Sequence, residues 1–176
     1  MEQQQYGLAH LNAPWRMEYI AQAAERVPGC IFCAKPCEEA SCDRRNYIVY
    51  RGERCFIILN AFPYNSGHLM VIPYQHTADL ALLAPETLLE MMRLAAQAVA
   101  ALKRVMCPDG FNLGMNLGHA GGAGIAEHLH LHIVPRWVGD TNFMTTVGEA
   151  RVLPESLERT WEKVCEAFHA VLNSEF

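Results

Sequence analysis

The segment His128-Leu129-His130-Leu131-His132-Ile133-Val134 alternates histidine with an apolar residue. Residues two apart in a β-strand share a face. The pattern predicts a strand from His128 to Val134, with three imidazoles on one side and Leu129, Leu131 and Ile133 in a core on the other. Same-face neighbours lie about 6.6–6.8 Å apart along a strand, so the outer pair is roughly 13 Å apart. One ion bound at about 2.1 Å from each nitrogen cannot take all three, and the three histidines are expected to have different tasks. Imidazole is neutral or charged near pH 7 and serves as nucleophile, acid or phosphate ligand. Filling a polar sheet face explains a lone histidine well, but it explains three in strict alternation poorly.

The residues before the row, Asn116-Leu117-Gly118-His119-Ala120-Gly121-Gly122-Ala123-Gly124, are short of bulky side chains. Glycines let backbone N–H groups approach an anion closely. Asn116, Gly122, Ala123 and Gly124 are therefore candidates for holding phosphate oxygens against the middle histidine.

A second cluster lies upstream. Cys30-Ile31-Phe32-Cys33 has the spacing of a zinc knuckle. Two more ligands are needed: Cys37 and Cys42 locally, or histidines from elsewhere. Two buried free cysteines are the alternative. A nucleobase-deaminase site is excluded, because it requires a His-x-Glu ahead of Pro-Cys-x-x-Cys and no His-x-Glu occurs. No βαβ pattern surrounds the pair, which argues against a thioredoxin-like centre.

The elements that must position these groups can be read from punctuation and periodicity. Ala13 to Arg26 reads as a helix with Pro14 in its first turn, ended by Pro28-Gly29. The stretch carrying Cys30, Cys33, Cys37 and Cys42 reads as a loop. Tyr47–Tyr50 and Cys55–Leu59 read as a hairpin over Arg51-Gly52-Glu53. A strand is expected from His68 to Ile72, stopped by Pro73. Pro85 to Val105 has helical spacing, with Leu88, Leu89, Met92, Ala95, Ala96, Val99 and Leu102 as its apolar stripe. Asn112–Leu117 reads as a strand, and Pro154–Leu172 as a closing helix. Strand connections are mostly short, so the expected architecture is an α+β domain with an antiparallel sheet and packed helices.

Bulk properties bound the function. A chain of 176 residues, 51% apolar and 19% charged, suits one globular domain. The net charge of −5 excludes a general nucleic-acid binder, although a small phosphorylated ligand remains compatible with a locally positive site. No export signal is visible at the first residues, and no apolar run reaches the roughly 18 residues of a membrane span. A cytoplasmic location without membrane contact is expected. The seven cysteines then read as free thiols or metal ligands rather than a disulfide framework.

At this point the residues resemble the histidine triad (HIT) family. His128, His130 and His132 followed by Ile133-Val134 match its motif, and Leu59-Asn60 with Gly67-His68-Leu69-Met70-Val71-Ile72-Pro73 looks like its nucleotide-binding hairpin. Ala13-Pro14-Trp15-Arg16-Met17-Glu18-Tyr19-Ile20 and Pro135-Arg136-Trp137-Val138-Gly139-Asp140-Thr141-Asn142-Phe143-Met144 resemble the bacterial branch of diadenosine tetraphosphate phosphorylases. The resemblance implies a single HIT-like domain over 1–176, with its core at about 30–144. It implies a nucleotide substrate, an adenine dinucleoside polyphosphate, and a homodimer built through the Pro85–Val105 helix.

By that resemblance His130 attacks the α-phosphorus and becomes nucleotidylated, and its other nitrogen donates to a carbonyl. His132 binds or protonates phosphate oxygens, Asn60 meets ribose hydroxyls, and His68 stands near the triad. Some bacterial members bind structural zinc through residues matching Cys30, Cys33, His76 and His128. Gly124 and Ile125 stand where the family often has a phosphate-contacting Gln, and Asn12 where this branch has Trp. The space at Gly124, with His119 and Arg136 adding charge, suits an acceptor phosphate and hence a phosphorylase. Hydrolysis of dinucleoside polyphosphates or nucleoside phosphoramidates is the alternative reaction, and a non-catalytic nucleotide sensor the alternative of another kind.

Overall fold

The computed structural model describes residues 29–141 and 154–174. The expected helix from Ala13 to Arg26, Asn12, and the motif residues 13–20 and 142–144 lie outside the described residues. Among those described, α1 (Ile31–Cys37) and the short α2 (Asp43–Asn46) precede the sheet. The strands are β1 (Ile48–Arg51), β2 (Cys55–Leu59), β3 (Leu69–Pro73), β4 (Gly110–Gly114) and β5 (Leu131–Arg136), with α3 (Pro85–Met106) between β3 and β4 and α4 (Leu157–Asn173) after β5. The order across the sheet is β1-β2-β3-β5-β4, every pairing antiparallel. This is the α+β architecture expected.

Both faces of the sheet are covered. Ile57, Leu59, Leu69, Val71, Leu131 and Ile133 pack with α3 and α4 in the larger core. Their alternates Phe56, Ile58, Met70 and Ile72 form a smaller core with Phe32 of α1 on the other face. β2 and β3 are consequently buried at every position, as central strands covered on both sides must be.

Four local readings are corrected. The cysteine stretch is not a loop: α1 and a 3-10 turn at Ala40–Cys42 order it, because Phe32 gives a short helix an apolar anchor. β4 starts and ends earlier than expected, at Gly110–Gly114. β5 begins at Leu131 and runs through Pro135 to Arg136, so His128 and His130 stand ahead of the paired strand. The missing N–H of Pro135 does not stop the strand. The buried face of α3 is Met91, Leu94, Ala95, Ala98, Ala101 and Leu102, while Leu89 and Met92 of the expected stripe are 72% and 56% exposed. The helix is apolar on two sides, and periodicity gives the repeat but not which side meets the sheet.

Two contacts set the ends of the hairpins. Glu90 of α3, itself buried, accepts the backbone N–H groups of Glu53 and Arg54 at 2.9 and 3.0 Å. Gly67, at φ +73°, precedes β3 where a Cβ would lie 2.5 Å from Met106 Sδ and 3.0 Å from Leu102 Cδ2. A side chain there would meet both backbone strain and α3. No helix among the described residues is long and apolar enough to cross a membrane.

Candidate functional site

His128, His130 and His132 run along one edge of the smaller core into β5. All three are buried. The rings of His130 and His132 are 4.7 Å apart between centroids, closer than the side-chain spacing of a flat strand.

Each histidine meets a different partner. His128 Nε2 lies 2.9 Å from the carbonyl of Pro73, so it carries the proton and donates, leaving Nδ1 bare. His130 Nδ1 lies 2.8 Å from the carbonyl of His128 and donates to it. Nε2 of His130 is thereby left with its lone pair. Burial lowers the His130 pKa, with the His128 carbonyl opposing, which favours the neutral ring a nucleophile requires.

His132 is set by a relay. The Tyr64 backbone N–H can only donate, and it reaches His68 Nδ1 at 3.0 Å, with the Asn60 amide at 3.3 Å from the same atom. His68 must then carry its proton on Nε2, which donates to His132 Nδ1 at 2.9 Å. His132 therefore holds its own proton on Nε2, as a neutral donor. Burial pulls the His68 pKa down to about 3, with His132 and His130 adding to the effect. A Phe62 N–H donates to the Asn60 side-chain oxygen at 2.9 Å, so Asn60 pins the turn as well.

At the other end, Cys30, Cys33, His76 and His128 present ligand atoms all within 4.8 Å of one another. His128 Nδ1 lies 3.2 Å from Cys30 Sγ and 3.2 Å from His76 Nδ1, and Cys33 Sγ lies 3.4 Å from His76 Nδ1. A tetrahedral zinc site with bonds of 2.0–2.3 Å has ligand–ligand edges of about 3.3–3.8 Å. Two thiols and two imidazoles at these separations fit zinc. The Cys33 thiol is pushed up by burial and by Cys30 beside it, a repulsion between thiolates that a dication would relieve.

The fold brings these four together through specific contacts. Cys30 caps α1, with Cys33 and Ala34 N–H groups on its carbonyl at 3.1 and 3.0 Å. Leu129 N–H donates to the Thr77 carbonyl at 2.8 Å, which ties the His128 segment to the one bearing His76. Arg51 reaches the carbonyls of Pro36 and Glu38 at 2.6 and 3.0 Å and the Asp43 carboxylate at 2.7 Å, fixing the far end of α1. Phe32 stands 5.6 Å from the His128 ring and 5.2 Å from the His130 ring. Cys37 and Cys42 lie outside the cluster.

Beyond His132 opens a groove of about 340 Å³, lined by Tyr64, Asn112, Gly114, Asn116, His132 and Arg136 among others. Asn116 also donates to the Gly122 carbonyl at 3.4 Å. Gly118 and Gly122 adopt positive φ around a 3-10 turn at His119–Gly121, and Ala123 is buried. Gly122, Ala123 and Gly124 are not part of the groove lining. Arg136 pairs with Asp140, whose carboxyl is held well below the usual range by that guanidinium. Sequence reasoning missed Phe32 and Arg51. The first was readable as the apolar residue inside Cys-x-x-Cys. The second had no local signal.

Comparison with known proteins places the chain. The HIT domain profile matches residues 43–138. A curated protein of Mycobacterium tuberculosis named AP-4-A phosphorylase is 41% identical over 157 residues, covering 87% of this chain and 80% of the relative. A crystal structure of a zinc-bound histidine triad family protein from Mycobacterium smegmatis is 28% identical, with a TM-score of 0.67, and the match covers 84% of this chain and 98% of that one. A hypothetical histidine triad nucleotide-binding protein from Sulfolobus tokodaii is likewise 28% identical, with a TM-score of 0.62 over 80% of this chain and 93% of that one.

Proposed function

The chain belongs to the histidine triad family, and from that premise we propose that it is a diadenosine tetraphosphate phosphorylase working through a nucleotidyl-histidine. The observation that carries the reading is the tautomer of His130. Its Nδ1 is committed to the His128 carbonyl and its bare Nε2 is the attacking atom. The 41% identity to AP-4-A phosphorylase supports the substrate.

In the first step His130 Nε2 forms a bond to the α-phosphorus, and the bond from that phosphorus to the bridging oxygen breaks. ATP leaves. The Nε2–H of His132 donates to phosphate oxygens as charge moves onto them. In the second step an oxygen of inorganic phosphate attacks the same phosphorus, the P–N bond breaks, and ADP leaves with His130 restored. Asn60 faces the nucleotide end of the site and Asn116 and Gly124 the phosphates. His68, fully buried with both ring nitrogens bonded, acts through His132. The N–H groups of Gly122 and Ala123 are taken by the carbonyls of His119 and Gly118, so those two shape the loop instead of meeting phosphate.

Cys30, Cys33, His76 and His128 hold one zinc in this reading. The separations of the four ligand atoms support it, as does the zinc-bound M. smegmatis relative. A Cys2His2 set is closed to substrate, so its role is structural. The chain forms a two-fold dimer through α3 in the same reading: Leu89 and Met92 present a second apolar face of that helix. A light-scattering mass near the 19.7 kDa of one chain rejects the dimer.

The deciding experiment is product analysis by chromatography. With phosphate, diadenosine tetraphosphate yields ATP and ADP. If AMP and ATP form at one rate whether or not phosphate is present, the protein is a hydrolase and the phosphorylase reading falls.

A further inference from the structure

The row of histidines has one closed end and one open end. The Cys/His cluster and Phe32 close the His128 end. At the His132 end lies the groove of about 340 Å³. Its floor is β4 against β5, with Gly114 opposite His132 and Asn112 opposite Val134. A Cβ built on Gly114 would meet nothing within 4 Å, so the floor beside His132 is open space. The groove begins at His132, whose ring lies 4.7 Å from that of His130 between centroids.

The groove lining is mixed: Leu113, Met115 and Val134 give it apolar surface, and a few polar side chains stand among them. Arg136 is the one charged residue among the lining residues, and the amides of Asn112 and Asn116 accompany it. Arg136 shares the strand face of His132, two alternate positions further on, roughly 13 Å along β5. Its guanidinium is rigid. Nε and Nη2 grip the Asp140 carboxylate at 2.6 and 2.9 Å, and Nη1 donates to the Asn112 oxygen at 2.7 Å.

Asp140 balances the charge of Arg136, so what Arg136 offers the groove is its exposed N–H donors. Its carboxylate is turned inward, 8% exposed, and is shared with Asn65 Nδ2 at 2.9 Å and Trp137 N–H at 3.2 Å. The Arg136 side chain stays 46% exposed. Nη1 and Nη2 each keep one further N–H beyond these contacts, donors of the kind that phosphate oxygens accept.

We propose that this groove takes the distal part of the donor, and that Arg136 selects donors whose leaving group carries a long polyphosphate chain. The inference rests on the nucleotidyl-transfer reading above and adds a specificity-determining residue to it. His130 and His132 act on whatever is attached to the α-phosphorus. Arg136 lies too far along the strand to reach that atom, so it discriminates by the length and charge of the leaving group.

The test uses two donors with the same adenylyl group: diadenosine tetraphosphate, and the p-nitrophenyl ester of AMP, whose leaving group carries no phosphate. Turnover of the aryl ester by the unaltered protein reports on the nucleotidyl-transfer reading alone. Arg136→Gln is expected to lower kcat/KM for the tetraphosphate by about tenfold to a hundredfold, mainly through KM, the size of a lost charge-assisted contact. Aryl ester turnover should fall much less, so that the ratio of the two kcat/KM values shifts. Arg136→Lys restores part of the preference. The pair Arg136→Gln with Asp140→Asn leaves no orphaned carboxylate and should show the same shift in selectivity.

Equal losses on both donors would make Arg136 a structural residue only. An unaltered protein that adenylylates from the aryl ester but shows no preference for the tetraphosphate also overturns the proposal, and leaves nucleotidyl transfer standing. So does a paired variant whose preference returns to that of the unaltered protein.

Discussion

The two ends of the histidine row are held by different physics. At the His128 end, two thiols and two imidazoles from three separated stretches of chain converge in an arrangement that fits a metal ion. At the His132 end, polar groups are oriented by protein hydrogen bonds alone, from the Tyr64 N–H through His68 to His132, and from Asp140 to Arg136. One short segment therefore carries a histidine suited to metal and a histidine suited to substrate. What separates them is the partner on the second ring nitrogen, a carbonyl for His128 and another imidazole for His132.

His130 lies between, and replacing it tests whether both ends serve it. His130→Ala should lower turnover by at least about ten-thousandfold, because the covalent route disappears. Nucleotide binding, zinc content and thermal stability should remain near those of the unaltered protein. Near-normal turnover would remove the mechanism.

The next effect belongs to the metal-suited end. His76→Ala, or a strong chelator, should release zinc and lower stability by about 3 kcal/mol, the scale of a tight ligand lost from the folded state. Cys42→Ser should retain the metal. Elemental analysis of protein purified without added zinc gives the answer, and the opposite pattern would move the site to the local cysteines.

Arg51 sharpens the contrast from the same end. It fixes α1 without touching the ligands, so Arg51→Lys should cost about 1–2 kcal/mol, since an ammonium cannot make all its carbonyl and carboxylate contacts. Denaturant midpoints with and without chelator would show whether the loss is larger in the metal-free protein, as expected if Arg51 and zinc order the same helix.

At the hydrogen-bonded end the expected effect is nil at neutral pH and grows only on acidification. Unfolded His68 titrates near its ordinary 6.5, whereas in the fold it stays neutral down to about 3. Between those values the unfolded state binds a proton that the folded state refuses. Stability is therefore undiminished above 6.5 and falls as pH drops below it, by up to about 1.4 kcal/mol per pH unit for this group. His68→Gln should flatten that slope in urea titrations between neutral and mildly acidic pH. An unchanged slope would show that His68 is not held neutral.

Much of the fold was legible because its signals are local. The β1–β2 hairpin, β3 and the length of α3 follow from turn residues and periodicity. α1 was not legible, since what makes it a helix is the docking of Phe32 on a sheet face formed by distant strands. The buried side of α3 was misread for a related reason: two apolar sides compete, and only the completed sheet chooses between them. The members of the site were named from the alternation of the histidines, the Cys-x-x-Cys spacing and the family motif. Phe32 and Arg51 were not, because packing on a neighbour leaves no periodic mark.

The sequence by itself determined which residue types meet: three imidazoles two residues apart, a thiol pair, a glycine-rich turn. It could not determine what each imidazole does. A neutral imidazole has two nitrogens and one proton, and the proton goes where the second partner puts it. Those partners are the Pro73 carbonyl, the His128 carbonyl and the His68 ring. The register of β3 against β5 and the path of the chain into them bring two of these partners from far along the sequence. Tertiary structure decided which nitrogen of each histidine carries the proton, because proton position is a property of neighbours in space.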